Sequence, residues 1–174
     1  MIAQIKGRLI EKTPTYVIID CGGVGYQLNI SLNTFSKIGD EELCLLFTHF
    51  VVREDAQLLY GFKEKSEREL FRLLISVSGV GSSTAMMILS SLSPEETKSA
   101  IMMSDVNTLK SVKGIGAKSA ERIIVDLKDK IGKVDSSDNL SMFSNNTIKE
   151  EALSALVMLG FSKGPAEKAN RKSI

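Results

Sequence analysis

The sequence predicts an α+β protein of several domains: a five-stranded OB-like β-barrel at the N-terminus, a central all-α domain, and a small helical domain at the C-terminus. Three observations predict it. Residues 1–62 hold short runs rich in β-branched and aromatic residues with stretches of period-two alternation, and helical period takes over beyond them. The stretch "VSGVGSSTAMMIL" (77–89) then returns as "VKGIGAKSAERII" (112–124), so Gly79 aligns with Gly114, Val80 with Ile115, Gly81 with Gly116 and Ala85 with Ala120. A repeat of this kind marks a duplicated structural unit.

The strands follow in order. "IAQIKGRLIEK", "TYVIID", "GVGYQLNIS", "LCLLFTHFVV" and "QLLYGF" are rich in β-branched and aromatic residues. Thr13-Pro14, Gly22-Gly23, Gly39-Asp40 and Glu54-Asp55 punctuate them as turns. Five short strands in so few residues fit a small barrel of the OB type (residues 1–63), although a small open sandwich would read similarly.

Residues 64–133 form the helical domain. Ser66-Glu67-Arg68-Glu69 has the pattern of a capping box, with Ser66 as N-cap of "LFRLLISV". Ser93-Pro94-Glu95-Glu96 is a second box, with proline at the first helical position. "TLKSV", the second Gly-Ile-Gly and "AKSAERIIVDLKDKI", ending near Gly132, complete a helix, hairpin, helix, connector, helix, hairpin, helix order. Residues 134–146, "VDSSDNLSMFSNN", lack apolar periodicity and read as a linker. In residues 147–174, Thr147-Ile148-Lys149-Glu150 caps "EALSALVMLG", which Gly160 is placed to stop.

Composition narrows the function. The 174 residues are 43% hydrophobic and 25% charged, ordinary for a globular protein, and the apolar runs are too short for a membrane span. The N-terminus has no signal-peptide pattern, so a cytoplasmic protein is expected. Cys21 and Cys44 are far apart and His49 is the single histidine, so no zinc site and no other metal or cofactor is expected. The net charge of +1 is unevenly spread: residues 1–62 hold 5 Lys and Arg against 7 Asp and Glu, and residues 63–133 hold 12 against 9. The small basic excess falls on the repeat, as a polyanion partner would favour.

In each hairpin the glycines permit positive φ and a tight reversal, and the residue between them can plug the space between the helices. The helix that follows begins with backbone N–H groups that have no internal partner, and its dipole adds positive potential. Such a terminus binds phosphate, and Lys118 places a charge beside the second one. A dinucleotide fingerprint needs G-x-G-x-x-G directly after a strand, and a P-loop needs G-x-x-x-x-G-K-[ST]; neither is present. A plain helix–helix turn would explain one copy better than two. No catalytic residue stands out.

The helix–Gly-Φ-Gly–helix unit resembles the helix-hairpin-helix motif, which binds DNA backbone without regard to sequence. The tandem helix-hairpin-helix pair behind a barrel is similar to one family in particular. "HFVVREDAQLLYGF" (49–62) closely resembles the most characteristic stretch of the RuvA family, Holliday-junction-binding subunits of RuvAB branch-migration complexes. "GGVGYQLNI" and "GIGAKSAERIIVDLKDK" fit its pattern as well. The likeness covers residues 1–133 closely and the remainder by layout.

The resemblance implies a homotetramer, single or paired, that binds four-way junction DNA and serves a RuvB-type hexameric ATPase, with a RuvC-type resolvase as a further partner. It implies one DNA clamp at Gly79, Val80, Gly81, Ser82 and Ser83, and a second at Gly114, Ile115, Gly116, Ala117, Lys118, Ser119 and Arg122. Ser82-Ser83 departs from the Pro-Lys pair common in the family, so the first clamp is expected to be weaker and less salt-dependent. Glu54 and Asp55 match the acidic pair set at the junction centre, although by themselves they read as a polar β-turn. Leu153, Leu156, Met158, Leu159 and Phe161 match the domain that contacts the ATPase. Family members continue through a third helix where this sequence stops at Ile174, which leaves the completeness of that domain open. Two other readings stand beside this one: a generic hairpin module of a repair complex, and a base-excision glycosylase with Lys118 and Asp135 in catalytic roles.

Overall fold

Five strands close into a barrel: β1 (Gln4–Lys12), β2 (Tyr16–Cys21), β3 (Val24–Ile30), β4 (Leu43–Val52) and β5 (Gln57–Phe62). Their order around the barrel is β1-β2-β3-β5-β4. The computed structural model describes residues 1–39 and 41–139, together with 156, 157, 161, 162 and 164. All pairings are antiparallel except β3 with β5, where Asn29 and Ile30 lie opposite Tyr60 and Gly61 and close the sheet on itself. Period-two alternation sends Ile5, Val17, Ile19, Leu28, Ile30, Cys44, Leu46 and Leu59 into one apolar interior.

Strand β5 is buried on both faces, which accounts for its nearly unbroken apolar run. Leu59 belongs to the barrel interior, whereas Tyr60 and Phe62 belong to the core of the helical part. There Phe71 meets both rings, with centroids 5.0 Å from Tyr60 and 5.1 Å from Phe62. Burying such a ring contributes about 2 to 3 kcal/mol.

The helical part comprises α2 (Lys65–Ile75), α3 (Ser82–Ser91), α4 (Pro94–Met102), α5 (Val106–Ser111) and α6 (Ala117–Asn139); α1 (Leu32–Lys37) lies between β3 and β4 in the chain. The Ser93 box forms as expected: its hydroxyl accepts from the Glu96 N–H, and the Glu96 carboxylate accepts from the Ser93 N–H. The Ser66 box does not form. Helix α2 starts at Lys65 with Glu64 as a cap lacking any side-chain bond, so Ser66 is already inside the helix. Its Glu67 is drawn instead into a buried site, where the hydroxyls of Ser31 and Thr34 both donate to it. Helix α6 also runs past Gly132 to Asn139, into the stretch expected as linker. Once a helix is nucleated each further residue adds a hydrogen bond, and serine and aspartate lower helix propensity only modestly.

The chain divides into two units, Met1–Ile131 and Gly132–Ile174. In the second, the Phe161 N–H donates to the Leu156 carbonyl, Leu156 is half-buried and Phe161 is 57% exposed. Leu153, Met158 and Leu159 lie outside the described residues.

Burial pushes the Glu67 carboxyl up from its ordinary 4.5, outweighing the pull of the Ser31 and Thr34 hydroxyls and the Lys37 charge, and Glu64 adds to the rise. A carboxyl raised in the folded state holds its proton better there than in the unfolded chain. Its contribution to stability therefore declines as pH climbs from about 4.5 toward the folded value. Across that window the wild type is expected to lose stability relative to Glu67→Gln. A difference in Tm that stays constant with pH would contradict this.

Candidate nucleic-acid interface

The two copies of the repeat have the same backbone. Gly79 and Gly114 adopt φ +87° and +88°, values that side chains rarely tolerate. Each reversal is closed by the next residue, with the Val80 N–H donating to Val77 O (3.0 Å) and the Ile115 N–H to Val112 O (3.1 Å). Val80 and Ile115 are each 6% exposed, so they plug the gap between their helices. Their side chains do not face solvent, and a ligand could reach only their main chain.

The second glycines differ in kind. Gly81 has φ −84° and ψ 169°, extended backbone open to any residue, and Gly116 is likewise not among the positive-φ positions. A Cβ built on either would meet nothing within 4 Å. Neither conformation nor internal packing therefore requires glycine there. What its absence of side chain preserves is open space in front of a helix N-terminus.

Those termini carry unused donors. Gly81 O and Gly116 O accept the first helical bonds, from Ala85 N–H and Ala120 N–H at 3.0 Å each. The N–H groups of Ser82, Ser83 and Thr84 in one copy, and of Ala117, Lys118 and Ser119 in the other, precede any intrahelical bond. Gly81 offers no capping side chain. Two parallel sets of amides at the positive ends of helix dipoles suit phosphate oxygens.

Side chains refine the picture. Ser83, Ala117 and Lys118 are exposed and Ser119 is half-buried, whereas Ser82 is only 6% exposed. Lys113, exposed beside Gly114, is a second cation at that hairpin that the motif comparison missed; its charge next to the glycine was the available signal. Arg122 is exposed, but its guanidinium donates to the Ser78 carbonyl at 3.1 Å, tying α6 to the first hairpin. A Cβ on Gly79 would lie 3.6 Å from Arg122 Nη1, and one on Gly114 would lie 3.5 Å from Met87 Cε. Met87 and Arg122 hold equivalent places in the repeat, so each hairpin is covered by the other copy's helix. Nothing in the linear pattern announces that exchange, because it depends on how the copies pair.

Glu54 and Asp55 sit at the tip of the β4–β5 hairpin, both exposed, in a turn closed by the Arg53 N–H on Ala56 O at 2.8 Å. His49 packs edge-on against Phe71, with centroids 5.4 Å apart. Burial, with Arg72 and Arg68 nearby, lowers its pKa below 6.5. It is placed as a packing residue. Asp135 lies on the helical backbone of α6 rather than in a loop. Among the described residues no cluster of His, Cys, Asp or Glu could hold a metal, and no helix is long and apolar enough to cross a membrane.

Fold and site together define a barrel-linked tandem helix-hairpin-helix protein. Residues 1–61 match the model of the RuvA N terminal domain, and residues 71–129 match that of the SAM-like Helix-hairpin-helix tandem. A protein of Christiangramia forsetii named Holliday junction branch migration complex subunit RuvA is 59% identical over 172 residues, covering 99% of this chain and 89% of that relative. Proteins with the same name from Flavobacterium psychrophilum and Bacteroides fragilis are each 51% identical, covering 100% and 97% of this chain and 90% and 88% of their own. The chain belongs to the RuvA family.

Proposed function

We propose that this protein binds four-way (Holliday) DNA junctions without sequence specificity, holds them open, and recruits a RuvB-type ATPase for branch migration in recombination and repair. The observation that carries the reading is the pair of unneeded second glycines, each opening a set of free amides to an outside ligand. The names of its relatives point the same way. Amides bind phosphates irrespective of base, so the contacts fix position without reading sequence. In this reading the protein has no catalytic residue of its own: it is the binding subunit, working as a homotetramer in the cytoplasm, and the ATPase supplies the motion. A RuvC-type resolvase is a further partner.

A gel-shift titration in excess competitor DNA tests the function, comparing a synthetic four-way junction with a linear duplex of the same arm sequence. Strong preference for the junction, arriving in discrete steps, is expected. Equal affinity would leave a generic hairpin module, and no binding would return both hairpins to the role of tight turns.

The acidic turn acts at the crossover in this reading. Carboxylates from several subunits would repel phosphates there and keep strands from settling. Glu54→Gln with Asp55→Asn is expected to retain or tighten junction binding while altering migration rate. Lost binding would make the pair structural. Deleting residues 147–174 is expected to spare DNA binding and abolish recruitment of the ATPase, which a pull-down with RuvB would reveal; undiminished capture would remove that role from the tail.

A further inference from the structure

We propose that helix α1 is the joint that sets the first hairpin's position on the barrel, with Asn33 and Glu67 as positioning residues for junction recognition. The inference rests on the junction-binding reading above. Helix α1 has six residues. Yet its polar side chains reach both helices that flank the hairpin. Toward α2, the Ser31 hydroxyl donates to Glu67 Oε1 and the Thr34 hydroxyl donates to Glu67 Oε2 at 2.8 Å. Thr34 Oγ1 also accepts from the Lys63 N–H at 3.1 Å, at the end of β5. Toward α3, Asn33 Nδ2 donates to Leu89 O and, at 2.9 Å, to Leu92 O, and the Leu32 N–H donates to Ser90 Oγ at 3.2 Å. A foreign side chain thus caps the last carbonyls of the helix whose first amides face the ligand.

The chemistry of this joint favours geometry over stability. Ser31, Thr34 and Glu67 are fully buried, and a carboxylate held there is desolvated, so an apolar filling of similar shape would stabilise at least as well. Directional hydrogen bonds do what apolar contact at Phe71 cannot: they fix rotation and register between barrel and helices. Recognition of a crossover needs hairpins and barrel to engage several arms at once, and simultaneous engagement is lost when the geometry no longer spans the sites. A duplex needs only a local clamp. The joint therefore governs the difference between the two substrates.

The test measures affinity of the full chain for a four-way junction and for the matching duplex, together with thermal unfolding, in wild type, Asn33→Ala, Glu67→Ala and Glu67→Gln. Asn33→Ala and Glu67→Ala are expected to lower junction affinity about tenfold or more while duplex affinity changes little. Glu67→Gln, which can still meet both hydroxyls, is expected to restore preference. Equal loss on both substrates, or loss on neither, overturns the joint while leaving the function intact. A wild type without junction preference overturns the function and the joint together. Should Glu67→Ala fail to fold, Asn33→Ala decides on its own, since it removes only an amide at the end of α3.

Discussion

Replacing Gly81 and Gly116 together by serine is expected to abolish DNA binding while leaving the fold as stable as before or slightly more so. The backbone already suits serine: Gly81 (φ −84°, ψ 169°) nearly matches the serine caps Ser31 (−81°, 164°) and Ser93 (−64°, 160°) in the same chain. Serine is at least as good an N-cap as glycine, by a few tenths of a kcal/mol. No atom within 4 Å opposes the new Cβ. The new hydroxyl, however, would take the Thr84 and Ser119 amides for itself and stand where a phosphate must approach. Charge-assisted hydrogen bonds contribute about 2 kcal/mol each, so losing one per hairpin weakens binding by at least about a hundredfold. Gel shifts beside thermal melts separate the two effects. Unchanged affinity would mean that the hairpins are turns and nothing more. Alanine at Gly79 or Gly114 behaves differently, because φ near +87° strains any side chain by about 1 to 2 kcal/mol and lowers Tm directly.

Gly7→Ala is expected to produce the largest loss of stability. A Cβ there would lie 2.2 Å from the Asp20 carbonyl oxygen, and 2.9 Å from Cys21 Sγ and Ile19 Cγ2. The nearest of these is main chain in a paired strand, with Arg8 opposite Asp20 and Leu9 opposite Ile19. It cannot retreat without separating β1 from β2. The cost is about 3 kcal/mol or more, a large part of a typical domain's 5 to 15. Gly61→Ala is milder, since its Cβ meets side-chain atoms of Leu28 and Leu46 at 3.0 Å, and these can give way. Denaturant unfolding followed by circular dichroism measures both. A Gly7→Ala protein as stable as wild type would contradict the close approach of these strands.

Much of this architecture was legible because its causes are local. Runs of β-branched and aromatic residues between turn signals placed the five strands, and the duplicated Gly-Φ-Gly located both hairpins with their buried plugs. Helix α1 was not legible: six residues of "LNTFSK" hold too little apolar surface to show a helical period. The start of α2 and the role of Glu67 were hidden for a related reason. Ser66 and Glu69 have the spacing of a capping box, but spacing cannot reveal that the helix already begins at Lys65, or that two hydroxyls distant in the chain meet the Glu67 carboxylate. The two glycines of each hairpin also look alike in sequence, and only dihedral angles and empty space divide a conformational glycine from one that leaves room for a ligand.

By itself the sequence determined the five strands, the two hairpins and the helices around them apart from α1 and some helix ends, and that the hairpins open onto uncapped helices, because period, turn chemistry and capping act over a few residues. Tertiary structure decided what those segments do to one another: the closing of β3 on β5, the exchange of Arg122 and Met87 between hairpins, and the hold of α1 on α2 and α3. These contacts join groups distant in the chain, and their energies depend on burial and direction that exist only once the barrel and helices have met.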